Sequence, residues 1–215
     1  MPIGTAVRQR LGRYEVPAVD LFRSAFVDLD SCAEILASMG DATRILEIGA
    51  GDGRLATHIV AAFPHAQYLG LDVVDGVGRL YEGPAERASF RNQRAEALLA
   101  ENPDPFDLVL VVDVLHHVPI GERGQLLQVA GALTGPRGRL VIKEWERRPG
   151  LGYRIGHFAD RVVSGDKTVR FHDRDELLHQ VTDAFGPDVV SLVARVPPWR
   201  SNILVAVTPP ERATA

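Results

Sequence analysis

The stretch Arg44–Ala56, Arg-Ile-Leu-Glu-Ile-Gly-Ala-Gly-Asp-Gly-Arg-Leu-Ala, narrows the possible folds more than any other part of the chain. An apolar run suited to a buried strand breaks into three glycines at alternate positions, Gly49, Gly51 and Gly53. Leu55, Ala56, Ile59 and Val60 then recur at the spacing of one helix face. A strand that turns sharply into a helix leaves unpaired N–H groups at the helix start, and glycines let a ligand approach them. A dinucleotide-binding loop would place its third glycine at position 54, which is Arg54. Glu47 and Asp52 flank the loop and would repel a pyrophosphate. They suit a ligand carrying positive charge or amino and hydroxyl donors.

A second nucleoside signal follows. Tyr68–Asp72 reads as a strand ending in a carboxylate, and Asp72 lies 19 residues past Gly53. That is about the distance at which an acid at the tip of a second strand meets ribose hydroxyls in a βαβ unit. Further on, Phe106–Pro119 holds an apolar strand of the kind buried on both faces of a parallel sheet. It runs into Asp113-Val-Leu-His116-His117-Val, just past its carboxyl end, where open α/β sheets bind ligands.

Glu-x-Gly-x-Gly-x-Gly at 47–53 together with Asp-x-Leu-His-His-Val at 113–118 resembles the class I S-adenosylmethionine-dependent methyltransferases. The resemblance covers roughly residues 40–209. Its specific motifs are at 45–53, 72, 106–119 and 135–145. It implies a Rossmann-like, doubly wound α/β sheet of seven strands, mostly parallel with the last antiparallel, and helices on both faces. It implies S-adenosyl-L-methionine as cofactor, with the loop residues Glu47, Gly49, Ala50, Gly51 and Asp52 around its methionine part. Asp72 and Val73 then belong at the ribose, and Asp113 and Val114 at the end of the fourth strand. Many relatives have Asp-Ala near the adenine amino group, whereas this chain has Arg94-Ala95-Glu96. Either Glu96 takes over beside Ala95, or backbone and apolar contacts hold the ring.

The rest of the chain fits that frame. Ala18–Met39 suggests one or two amphipathic helices closed by Gly40, after a short helix or arm in which Tyr14 could help roof the pocket. A third strand falls near Ala88–Asn92, a helix over Gln125–Leu133, a turn at Gly135–Gly138 and a strand at Arg139–Trp145. Asp173-x-x-Glu176 is a capping box for a helix through Phe185, and Val189–Val196 and Asn202–Val207 supply the last strands. The expected organisation is one domain over 1–215. It comprises an N-terminal helical cap (1–40), a cofactor-binding half (41–145), a substrate lid (146–172), and a terminal helix and hairpin (173–215).

Methyl transfer from a sulfonium needs alignment and exclusion of water, and a base only when the nucleophile is protonated. The candidates for that base are His117, His116 and Glu144. Tyr14, His116, His117, Trp145, Tyr153, His157 and Phe158 could shape the acceptor site. The motif departs from the Pro-Pro-aromatic form associated with nucleobase amines, and the net charge of −4 speaks against a nucleic-acid partner. Lys143-Glu144 does not supply paired oxygen donors, so no metal is expected. Cys32 is the single cysteine and no run of 18 apolar residues exists. These point to a cytoplasmic protein, away from membranes, as a monomer or homodimer. The expected activity is O- or N-methylation of a small molecule in bacterial secondary metabolism. Other S-adenosylmethionine chemistry (cyclisation, aminocarboxypropyl transfer) and, on fold alone, an NAD-dependent oxidoreductase stay open.

Overall fold

The computed structural model describes residues 27–147, 170–198 and 201–209. Its seven strands are β1 (Arg44–Ile48), β2 (Gln67–Asp72), β3 (Ala88–Asn92), β4 (Phe106–Val112), β5 (Thr134–Trp145), β6 (Val190–Arg195) and β7 (Asn202–Val207). They form one sheet in the order β3-β2-β1-β4-β5-β7-β6. Every pairing from β3 to β5 is parallel, and β7 runs antiparallel to both neighbours. The chain order reverses between β1 and β4, so a crevice opens there at the carboxyl ends of the strands.

Strand alternation divides the core into two layers. Along β4, Val109 and Val111 face one layer, while Leu108 and Leu110 face the other. Helices α1 (Leu29–Ser38) and α2 (Arg54–Ala62) cover the second face. Helices α3 (Ala95–Ala100), α4 (Ile120–Leu133) and α5 (Arg174–Phe185) cover the first. An apolar side chain as buried as Leu110 or Val205 contributes roughly 1.5–3 kcal/mol, so the central strands carry much of the stability.

The local signals for helix ends are realised. Asp28 caps α1 by accepting from Ser31 N at 3.0 Å, and Gly40 follows the helix with φ +116°. Both halves of the Asp173/Glu176 capping box are made at the start of α5. Two boundaries differ from expectation. Helix α4 starts at Ile120, five residues before Gln125, directly after Pro119, which fixes the backbone angle entering the helix. Strand β5 begins at Thr134, and the Gly135–Gly138 turn sits inside it as an irregularity. Phe106 pairs with Thr134 and Leu108 already with Arg139, so the extra residues bulge out of the ladder. Among the described residues no helix is long and apolar enough to cross a membrane.

Candidate active site

The glycine loop and the tip of β2 are wired together. Gly49 N and Ala50 N both donate to Leu71 O, at 2.8 and 2.9 Å. Gly51 N donates to Asp72 Oδ2 at 2.7 Å, and Val73 N and Val74 N donate to Asp72 Oδ1 at 2.7 and 3.1 Å. One carboxylate thus sets the position of both loops. Gly49 has φ +83° and a Cβ there would stand 2.2 Å from Val114 Cγ2, while a Cβ on Gly53, φ +86°, would stand 2.8 Å from Gly78 Cα. No larger residue fits either place. At Gly51 a Cβ would meet nothing within 4 Å, so the loop is open to a ligand on that side.

The acids beside the loop differ in their surroundings. Glu47 is buried and accepts the hydroxyl of Tyr68, whose phenol burial holds well above its ordinary pKa and therefore protonated. Asp52 Oδ1 accepts from Arg54 N at 3.3 Å. Arg54, in the place of a third glycine, is itself buried and reaches Glu82 at 2.8 Å. Val73 is 64% exposed, an apolar side chain in the open directly after Asp72. At the third strand, Ala95 is buried at the start of α3, and Glu96 pairs with Arg94 at 3.4 Å.

Across the crevice, Asp113 adopts the left-handed φ of 55°. Its Oδ2 receives the ammonium of the fully buried Lys143 at 2.6 Å, while its buried Oδ1 has no partner. The 3-10 turn Leu115–His117 follows. Glu144, 0% exposed, holds this turn from β5. Its Oε1 accepts from Val114 N at 3.0 Å and Leu115 N at 2.7 Å, and its Oε2 meets His116 Nδ1 at 2.6 Å. Burial works against the charge on Glu144. The His116 imidazole and the turn's N–H groups outweigh it and keep the carboxyl below its ordinary range. A carboxylate only accepts, so His116 carries a proton on Nδ1. The ring of His117 lies 4.1 Å from that of His116 and is partly exposed.

Oxygen or nitrogen atoms of Asp113, His116 and Glu144 lie within 4.8 Å of one another, a spacing that invites a metal. The donor set does not fit one. Both Glu144 oxygens are taken by N–H groups, and a cation on the remaining Asp113 Oδ1 would sit beside the Lys143 ammonium that the other oxygen holds.

The segment returning at Arg170 closes over this turn. Arg170 N donates to His116 O at 3.1 Å, and the Phe171 ring stacks on His116 at 4.8 Å. Arg123 of α4 fixes it with hydrogen bonds to Val118 O (2.8 Å), Arg170 O (3.0 Å) and His172 Nε2. Trp145 is buried. Tyr14, Tyr153, His157 and Phe158 lie outside the described residues. The structure thus brings together Asp72 with the glycine loop, and Asp113 and His116 with Glu144. Sequence reasoning missed Lys143, Tyr68, Arg123 and His172 as members of this edge. For Lys143 a signal existed, since two charges in a row interrupt an otherwise apolar central strand.

Residues 46–140 match a family model described as a methyltransferase domain. The ubiquinone biosynthesis O-methyltransferase of Leptothrix cholodnii is 31% identical over 114 residues, covering 51% of this chain and 47% of that protein. The chain spans about half the length of the curated relatives it matches. Among solved structures, the mitomycin 7-O-methyltransferase MmcR superposes with a TM-score of 0.69 at 17% identity, over 93% of this chain and 57% of that one. Human N-acetylserotonin methyltransferase in complex with SAM gives 0.61 at 16% identity, over 95% and 55%. Those two likenesses establish the sheet and its helices. Over residues 46–140 the chain is also similar in sequence to methyltransferase domains.

Proposed function

We propose that the protein transfers a methyl group from S-adenosylmethionine to a hydroxyl of a small molecule. The observation that carries this reading is the Glu144–His116 pair at the carboxyl edge of the sheet, across the crevice from the glycine loop. The relatives named above as O-methyltransferases favour oxygen over nitrogen as the acceptor atom, and bacterial secondary metabolism is a setting consistent with them.

The cofactor fits the residues present. Gly51 faces open space, Asp72 and the exposed Val73 stand at the β2 tip, and Asp113 Oδ1 is a buried acceptor suited to an ammonium group. When bound, S-adenosylmethionine supplies a methyl group already activated on a sulfonium. The protein's own task is alignment and removal of the hydroxyl proton. His116 Nε2 takes that proton, because Nδ1 is held protonated by Glu144. Glu144 orients the imidazole and stabilises the cation formed on protonation, the division of labour of a carboxylate–histidine pair. Phe171, stacked on the ring, keeps water from one face. No metal takes part in this scheme.

The test is calorimetric titration with S-adenosylmethionine, S-adenosylhomocysteine and NAD(H), on the wild type and Asp72→Ala, followed by product analysis with a panel of phenols. Binding of the first two that is lost in the variant, and S-adenosylhomocysteine as product, are expected. Binding of NAD(H) alone overturns the cofactor, and methylthioadenosine as product overturns the methyl transfer.

A further inference from the structure

The groove between α4 and α5 is tight at one end and open at the other. At the tight end a Cβ on Gly131 would stand 2.4 Å from Phe185 Cε1, and the Gln128 amide donates to Ala184 O. At the end nearer the carboxyl edge the helices part around a cleft of about 220 Å³. Arg123, Arg170, His172, Glu176, His179 and Gln180 line it. That is room for about seven water molecules, or for one small organic acid.

The hydrogen bonding of this cleft is incomplete in a particular way. His172 is 2% exposed, and its Nδ1 is buried with no partner. Because Nε2 accepts from Arg123, the neutral ring carries its proton on Nδ1, so an N–H donor is left unmet. An unmet buried donor costs about 1–3 kcal/mol, a cost that a ligand removes. Gln180 Oε1 is likewise buried with no partner. Arg123 is 3% exposed, and among the described residues its hydrogen bonds go only to neutral acceptors, Val118 O, Arg170 O and His172 Nε2. Glu144 acts on Arg123 through space, but its oxygens are already occupied by Val114 N, Leu115 N and His116. Glu176 is the carboxylate lining the cleft. Its oxygens serve Asp173 N at 3.1 Å and Arg147 at 3.2 Å, leaving Arg170 a long contact of 3.9 Å.

Unmet donors beside guanidinium groups recognise an oxyanion. We propose that the cleft binds the carboxylate of a small hydroxy acid, with His172 Nδ1–H and the Arg170 guanidinium donating to its oxygens and Gln180 Oε1 accepting from its hydroxyl. The carboxylate belongs either to the methyl acceptor itself, which rests on the function proposed above, or to a free acid that binds beside it. The wall of the cleft is the same Arg170–His172 segment that packs on His116, so occupancy here bears directly on the turn holding the proposed base.

The probe is salicylate, with salicylamide as its uncharged counterpart, titrated into protein carrying 15N-labelled histidine. Salicylate is expected to shift the His172 imidazole resonance saturably, and salicylamide to bind at least about tenfold more weakly. Arg170→Gln and Gln180→Leu, both altering partly exposed side chains, should each weaken salicylate by about tenfold while leaving the fold unchanged. A folded protein whose His172 signal does not respond, or responds equally to acid and amide, overturns the proposal and leaves water as the occupant. This titration needs no methyl donor, so it stands whether or not methyl transfer is found. Offering hydroxy acids and their amides as acceptors then separates the two sources. A preference for acids that disappears in Arg170→Gln assigns the carboxylate to the acceptor. Equal turnover of acid and amide assigns it to a free ligand.

Discussion

Replacing Glu144 by glutamine tests the core of the proposed mechanism with almost no change of shape. The carboxylate receives two backbone N–H groups on Oε1 and the His116 Nδ1–H on Oε2. In Glu144→Gln the amide oxygen can keep the two backbone donors, and the amide nitrogen then faces Nδ1. Two donors oppose each other unless the imidazole moves its proton to Nε2. The loss of one charge-assisted hydrogen bond in a dry site predicts a destabilisation of about 2–3 kcal/mol, read by urea unfolding. The tautomer switch predicts a second effect. Nε2 becomes a donor, the accepting nitrogen is gone, and kcat falls by roughly 10²–10⁴-fold with little change in S-adenosylhomocysteine affinity. Imidazole 15N shifts of His116 report the tautomer directly. The stability difference is also pH-dependent, with a definite sign. Glu144 titrates in the folded state below its ordinary 4.5, so its contribution is present above that value and is lost as pH falls through the folded pKa. Wild type and variant should therefore converge in stability as the solution is acidified. A variant within about 0.5 kcal/mol of wild type at neutral pH, still protonated on Nδ1, would refute the reasoning.

Three further substitutions probe the framework. Gly49→Ala forces a Cβ against Val114 at a positive φ; it should cost at least about 2 kcal/mol and abolish S-adenosylhomocysteine binding by calorimetry. Asp113→Ala strands the buried Lys143 ammonium and should cost about 3–5 kcal/mol, while Lys143→Met, which removes the charge itself, should cost less. Urea midpoints in the reverse order would refute that account. Gly131→Ala overpacks the α4–α5 contact against Phe185 and should cost about 1–3 kcal/mol, lowering Tm without altering cofactor affinity.

The strands and loops that make the cofactor edge were legible in the sequence because each carries a local signature. Arg44–Ile48 is an apolar run ended by glycines, and Asp72 stands at a fixed spacing beyond them. The match of Ala88–Asn92 to β3 came from its position between better-marked elements, since its burial is mixed and its periodicity weak. What the sequence hid was pairing across the fold. Nothing near Glu144 in the chain announces that its partners are Val114, Leu115 and His116, some 30 positions away. Lys143 and Asp113 are separated as widely and meet only because β4 and β5 lie side by side. Arg123 reads as an ordinary helix residue, and only the return of the chain at Arg170–His172 adds two acceptors to the local Val118 O. Side-chain chemistry is written locally, but charge compensation is a property of the sheet.

The two points at which the chain departs from and rejoins this edge are stitched to each other. Arg147 N donates to His172 O, and the Arg147 guanidinium holds Asp173 at 3.0 Å and Glu176 at 3.2 Å. Residues 147 and 170–176 are therefore tied together by contacts in which residues 148–169 take no part. In general, doubling the length of a flexible connection costs only about 0.6 kcal/mol of extra entropy. Evolution can exchange such a passage wholesale, and an engineer can graft a foreign one, at small cost to the seven-stranded sheet. The carboxyl edge of the sheet and the sequence between residues 147 and 170 are free to change at different rates.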